Sequence, residues 1–279
     1  MQRAFQQVDV FTSTPYKGNP VAVVLDADEL TDEQMQAFAR WTNLSETTFV
    51  LPPSNRHADY RLRIFTPTGE LPFAGHPTLG SAHAWLRNGG EHSDYIVQEC
   101  GAGLVRIKQY ADRLAFAAPP LSRSGLLDEA LVAQIAGGLG IERRDVIGHQ
   151  WVDNGPGWAA VMLGSAQRVL DIVPDFAAMG DLAIGVIGPY AGMDDNSRDV
   201  DFEVRAFAPA HGVPEDPVTG SLNAGLAQWL RSEGLANSSY VAAQGTAIGR
   251  TGRIHIEDDG ADIWVGGYCT TRIEGSVDI

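Results

Sequence analysis

Polar and apolar residues alternate through "DYRLRIFTP" (59–67) and again through "DFEVRAFAP" (201–209), the period-two signature of a half-buried strand. Each run gives way to a Pro/Gly-rich loop, "TPTGELPFAGHP" or "APAHGVPEDP", and then to helical spacing. Leu79, Ala82, Trp85 and Leu86 in the first stretch, and Leu222, Leu226, Trp229 and Leu230 in the second, recur near every 3.6 residues and stop at Gly89 and Gly234. Tryptophan at that spacing is a core residue. Further strands are predicted at "VAVVLDA" (21–27), "RLAFAAPP" (113–120), "WAAVML" (158–163), "SYVAAQ" (239–244), "GRIHIED" (252–258) and "ADIWVGGYC" (261–269). "LTDEQMQAFARWTN" predicts a helix entered through a capping box of Thr31 and Gln34, and "LLDEALVAQIAGGLG" a second one beginning near Asp128.

The pattern is a repeat. Asp59/Asp201, Arg63/Arg205, Phe65/Phe207 and Pro67/Pro209 match at a separation of 142 residues. "HPTLGS" (76–81) lines up with "DPVTGS" (216–221) at 140, and "WLRNGG" (85–90) with "WLRSEG" (229–234) at 144. Three matches in one order point to a duplicated unit of ordinary domain size. Many short strands around few helices predict two α+β halves rather than a doubly wound sheet. The halves are expected at 1–120 and 121–279, divided near "PPLSRS", with a final strand near 265–279 crossing back to the first.

Bulk properties narrow the function. With 44% hydrophobic and 20% charged residues the chain can build a large core. A net charge of −15 argues against nucleic acid and anionic membrane surfaces as partners. No signal-peptide pattern follows Met1 and no run approaches a membrane span, so a cytoplasmic protein is expected. Cys100 and Cys269 form neither a disulfide framework nor a metal-ligand spacing, and the seven histidines make no metal pattern. No metal is expected. The glycines of "GAG" and "GGLG" lack the strand and spacing of a dinucleotide fingerprint, and no G-x-S-x-G elbow is present.

Three loops carry chemistry. "NLSETTFV" holds Ser45 and Glu46 just ahead of an apolar strand; "AGHPTLG" presents Gly75 and His76 at the first central helix; "PEDPVTGS" brings Asp216, Thr219, Gly220 and Ser221 to the second. Singly, each has a structural explanation: a surface turn, a satisfied histidine, an N-cap. If the halves pack about a pseudo-twofold axis, His76 and Asp216 are equivalent and oppose one another across a cleft where two helix N-termini converge. Such a cleft would bind a carboxylate and stabilise an adjacent enolate.

"FTSTPYKGNPVAVVL", "NLSETTFV", "FAGHPTLGSAHAW" and "EDPVTGSLNAGLA" together resemble the PhzF (phenazine biosynthesis-like) family, which shares the diaminopimelate epimerase fold. The resemblance implies two pseudo-symmetric halves, each a barrel-like, mostly antiparallel sheet around a central helix, with the active site between them, and a homodimer. It places the catalytic glutamate on Glu46, the active-site histidine on His76 and the aspartate on Asp216. Gly75, Gly220 and Ser221 fall on groups lining the ligand carboxylate, with Ser45 and Thr219 as further substrate-binding candidates beside them. The implied activity is cofactor-independent isomerisation, moving a proton on a small carboxylic acid. Epimerases of this fold use one cysteine in each equivalent loop, and neither loop has one here. Two alternatives stand beside the isomerase: a non-catalytic metabolite-binding protein of the same fold, and a racemase or epimerase working without thiols.

Overall fold

A computed structural model describes residues 1–190 and 199–279. The chain divides into two compact units, Met1–Ala117 with Gly266–Ile279, and Ala118–Val265. Its helices are α1 (Asp32–Thr42), α2 (Gly75–Arg87), α3 (Glu129–Leu139), α4 (Ala166–Leu170), α5 (Phe176–Met179) and α6 (Gly220–Glu233). Among the described residues, no helix is long and apolar enough to cross a membrane.

Both units run the same strand plan. In the first, Gln2–Val10, Asn19–Val24, Thr47–Leu51, Tyr60–Phe65, Tyr95–Cys100 and Gly103–Gln109 pair in turn as antiparallel, parallel, antiparallel, parallel and antiparallel. In the second, Val146–Asp153, Trp158–Leu163, Ala183–Pro189, Phe202–Ala208, Ser239–Gln244 and Gly252–Asp258 repeat that succession. A parallel neighbour needs a crossover, and helices supply each one: α1 and α2 in the first unit, α4 with α5 and then α6 in the second. Cys269–Asp278 joins the first unit, antiparallel to Gln2–Val10 along that strand's whole length.

The sheet of the first unit curls around α2, which packs against strands from Cys269–Asp278 at one end to Leu114–Ala117 at the other. In the second, α6 touches Val146–Asp153, Trp158–Leu163 and Gly252–Asp258. This is the α+β architecture that the sequence pattern predicts. Glycine lets each central helix approach its strands. A Cβ on Gly80 would lie 2.4 Å from Val21 Cγ1, and one on Gly225 2.2 Å from the Val152 carbonyl oxygen. The outer faces carry separate cores. Met35 and Ala39 of α1 pack with Val24, Phe49 and Phe65. Val132, Ile135 and Leu139 of α3 pack with Val161, Val186 and Phe207.

The repeated residues recur because each unit has the same joints to close. Asp59 accepts a hydrogen bond from the Val97 N–H at 2.7 Å, and Asp201 from the Val241 N–H at 2.8 Å, each tying a strand start to its parallel neighbour. Arg63 forks onto Glu70 at 2.8 and 2.6 Å, and Arg205 onto Glu215 at 2.9 and 2.8 Å. Each guanidinium also lies over a ring, Phe65 at 5.0 Å and Phe207 at 4.9 Å.

At the central helices the alignment changes. α2 starts at Gly75 and α6 at Gly220, and the tightly packed Gly80 and Gly225 keep the same separation of 145 positions. His76 and Ser221 are therefore the second residues of their helices, whereas Asp216 ends the short strand Val213–Asp216. The equivalence of His76 with Asp216 expected from "HPTLGS" and "DPVTGS" does not hold at the level of secondary structure. A loop insertion ahead of α6 shifts the register.

Candidate active site

Glu46 immediately precedes the strand Thr47–Leu51, whose side chains alternate faces. Phe49 faces the outer core with α1, while Thr48 faces inward and accepts a hydrogen bond from Ser81 of α2 at 2.8 Å. Glu46 shares that inward parity and lies near the helix start, where its Oε2 is 3.4 Å from His76 Nε2. Only 16% of its side chain and 5% of that of His76 are exposed. Glu46 Oε2 accepts no hydrogen bond. Burial therefore pushes its carboxyl up to about 7, with the neighbouring Ser45 hydroxyl opposing. A carboxyl poised near neutrality can take a proton from carbon and give one back.

His76 is oriented by a residue outside the expected set. Asn19, 1% exposed at the start of its strand, places Nδ2 3.3 Å from His76 Nδ1. Gln98 completes the seat of α2 by accepting from the Tyr60 hydroxyl at 3.0 Å and donating to Thr78 at 3.1 Å.

In the second unit an Asp216 carboxylate oxygen accepts a hydrogen bond from the Thr219 hydroxyl. Gln244, fully buried, organises this loop. Its Oε1 accepts from the Thr219 N–H at 3.0 Å and Asn223 Nδ2 at 2.9 Å, and its Nε2 donates to the Asp216 carbonyl at 3.0 Å. Asp216 is thus not an N-cap; that position belongs to Thr219. Ser221 Oγ accepts from the Trp158 indole N–H at 3.0 Å, which leaves the hydroxyl proton to be donated elsewhere. Asn154 Nδ2 donates to the Ser221 carbonyl at 2.8 Å.

The helix N-termini differ from their neighbours. α1, α3, α4 and α5 are each capped by a side chain, from Thr31, Asp128, Ser165 and Asp175 respectively. α2 and α6 have no side-chain cap, with Ala74 and Thr219 at their N-cap positions. An uncapped N-terminus presents backbone N–H donors and partial positive charge, which an anionic group satisfies.

Within the first unit, then, the structure brings together Ser45, Glu46, Gly75 and His76 and adds Asn19; within the second it groups Asp216, Thr219, Gly220 and Ser221 and adds Gln244, Trp158 and Asn154. The added residues are buried or half-buried polar groups at strand ends and in a hairpin. Their sequence signal is a polar residue at the edge of an apolar run, as in "KGNPVAVV" and "SYVAAQ".

Residues 8–275 match the family described as phenazine biosynthesis-like protein, PhzC-PhzF. The chain belongs to that family. Its PhzF relatives include trans-2,3-dihydro-3-hydroxyanthranilate isomerase of Pseudomonas fluorescens, 34% identical over 91% of this chain and 89% of that one. Antisense-enhancing sequence 1 of Schizosaccharomyces pombe is 36% identical over 98% of both chains. A PhzF-family crystal structure from Enterococcus faecalis superimposes with a TM-score of 0.83, covering all of both chains at 24% identity. The chain is a PhzF-like isomerase, and its substrate is a small molecule.

Neither thiol belongs to the loops that carry Glu46, His76 and Asp216. Cys100 ends the strand Tyr95–Cys100, and Cys269 begins Cys269–Asp278, where burial holds its thiol far above the ordinary range. Neither is placed as the loop cysteine of a two-thiol epimerase.

Proposed function

We propose that this chain isomerises a small carboxylic acid by moving a proton between carbons, with Glu46 as the acid–base and no cofactor. The observation that carries the reading is the buried Glu46 carboxyl, held near neutrality 3.4 Å from His76 at an uncapped helix start. Glu46 as carboxylate removes a proton from an acidified C–H. The electron pair delocalises toward the substrate's unsaturated system, and protonated Glu46 returns the proton at another carbon. His76 stabilises the Glu46 carboxylate in the interval. A substrate carboxylate takes the N–H groups at the uncapped start of a central helix, at Gly75 in the first unit or at Gly220 with the donated Ser221 hydroxyl in the second. Asp216, positioned by Thr219 and Gln244, receives a polar hydrogen of the substrate. In this reading the protein works as a homodimer.

The test is incubation in heavy water with trans-2,3-dihydro-3-hydroxyanthranilate and a panel of small unsaturated or amino carboxylic acids. Deuterium entering one of them with the wild type and not with Glu46→Gln supports the assignment. Turnover of that acid surviving Glu46→Gln within a few-fold removes Glu46 from the role. Tight stoichiometric binding without exchange would make the protein a metabolite binder instead.

A further inference from the structure

We infer that Asn19 is a positioning residue that fixes the tautomer of His76, so that the imidazole proton sits on Nε2 and faces Glu46. The inference deepens the proton-transfer reading above and rests on it only for its catalytic consequence. An amide Nδ2 is a donor without acceptor capacity, so the His76 Nδ1 that it meets at 3.3 Å accepts and carries no proton. A neutral imidazole then has its one N–H at Nε2, the atom 3.4 Å from Glu46 Oε2. Asn19 is 1% exposed and His76 4% exposed, so neither side chain has room to turn its polar edge to solvent.

The second unit repeats the device with other chemistry. Asn154 follows the strand Val146–Asp153 in the connection between the second unit's first two antiparallel strands, and Asn19 opens the second strand of the corresponding hairpin in the first unit. Asn154 Nδ2 also donates to the second residue of the central helix, there to the Ser221 carbonyl at 2.8 Å. In both units, therefore, a hairpin asparagine presents its NH₂ edge to the same helical position. Only in the first does that position hold a group with two tautomers.

The consequence is directional. With Nδ1 engaged as an acceptor, a neutral His76 offers one donor toward Glu46. It can stabilise the carboxylate that waits for the substrate proton, and it does not compete for that proton as a second base on the same side. At Nδ1 the arrangement is the reverse of a carboxylate partner, which would accept from an Nδ1–H.

Long-range proton–nitrogen NMR of ¹⁵N-histidine-labelled protein at pH 7.5 reads the tautomer without any substrate, with His76 assigned by the signals lost in His76→Gln. The expected result is Nε2 protonated and Nδ1 bare. An Nδ1–H tautomer, or an equal mixture, overturns the inference. Asn19→Asp reverses the polarity at nearly constant shape and is expected to put a proton on Nδ1. With a confirmed substrate, it should lower kcat at least about ten-fold while KM stays within about three-fold. Asn19→Ser, whose hydroxyl can still donate to Nδ1, should restore the wild-type tautomer and part of kcat; it also keeps the comparison intact if the aspartate variant does not fold. A merely structural Asn19 would lose stability in both variants with the tautomer unchanged. Failure to find any substrate would count against the proton-transfer reading and leave the spectrum to judge Asn19 by itself.

Discussion

Replacing Glu46 with glutamine should make the protein more stable as pH rises, although it removes the proposed base. The carboxyl titrates near 7 in the folded chain because burial penalises its charge, against 4.5 for the ordinary group. At 1.36 kcal/mol per pH unit, that displacement corresponds to about 3 kcal/mol. The sign follows from which state holds the proton. Between pH 4.5 and 7 the folded protein keeps it while the unfolded chain has released it. The stabilisation is therefore complete below about pH 4.5 and lost as pH rises through about 7. Glutamine imitates the neutral acid and carries no such dependence. Melting curves of the two proteins should nearly coincide at pH 5 and separate by pH 8, the variant melting higher by roughly 6 °C. Parallel Tm-against-pH curves would refute the buried, near-neutral carboxyl, and with it the physical basis for Glu46 as a proton shuttle. In the same variant, turnover should fall by at least about 100-fold.

Other sites offer independent checks. Ser221→Ala removes a hydroxyl that Trp158 leaves free to donate, and should raise the substrate KM by about 10-fold to 100-fold, measurable by steady-state kinetics or calorimetric titration. Gly80→Ala forces a methyl group to within 2.4 Å of Val21 and should cost about 1–3 kcal/mol in urea denaturation; a neutral result would mean α2 is not seated this closely. Glu215→Gln breaks a pair whose side chains are only 4% and 9% exposed and should cost about 3–5 kcal/mol. The exposed Arg143–Glu129 pair provides the control, with Glu129→Gln expected to leave the denaturation midpoint essentially unchanged.

The elements that could be read in the sequence are those with one wet face, an unbroken apolar run or a strong cap. Trp158–Leu163, Ser239–Gln244 and Gly252–Asp258 fall where their patterns predict, and α1 begins through the Thr31–Gln34 box. Ala183–Pro189 is as buried as Trp158–Leu163, but Gly185 and Gly188 interrupt it, so "AIGVIGP" offers neither alternation nor an unbroken apolar run. Val146–Asp153 is broken up by Gly148, His149 and Gln150, side chains that do not alternate by polarity. At the site, Glu46 and His76 are visible in short motifs because their loops are short. Asn19 is not, since its meaning depends on a partner 57 residues away. Nor is Gln244, whose three hydrogen-bonded partners lie between 21 and 28 positions earlier. Alignment by motif alone also paired His76 with Asp216; only the helix starts and the packed glycines show that Ser221 holds the matching place.

The pairing of Cys269–Asp278 with Gln2–Val10 bears on the order in which the molecule is made. Residues 118–265 form one uninterrupted unit and can close on themselves during synthesis. Gln2–Val10 emerges first, yet beyond Asn19–Val24 its other edge waits until residues 269–278 have left the ribosome. For that interval the nascent chain carries an open strand edge, the kind of surface that recruits a wrong partner. Slow translation of the second unit would lengthen that exposure, and trimming residues 269–278 would make it permanent.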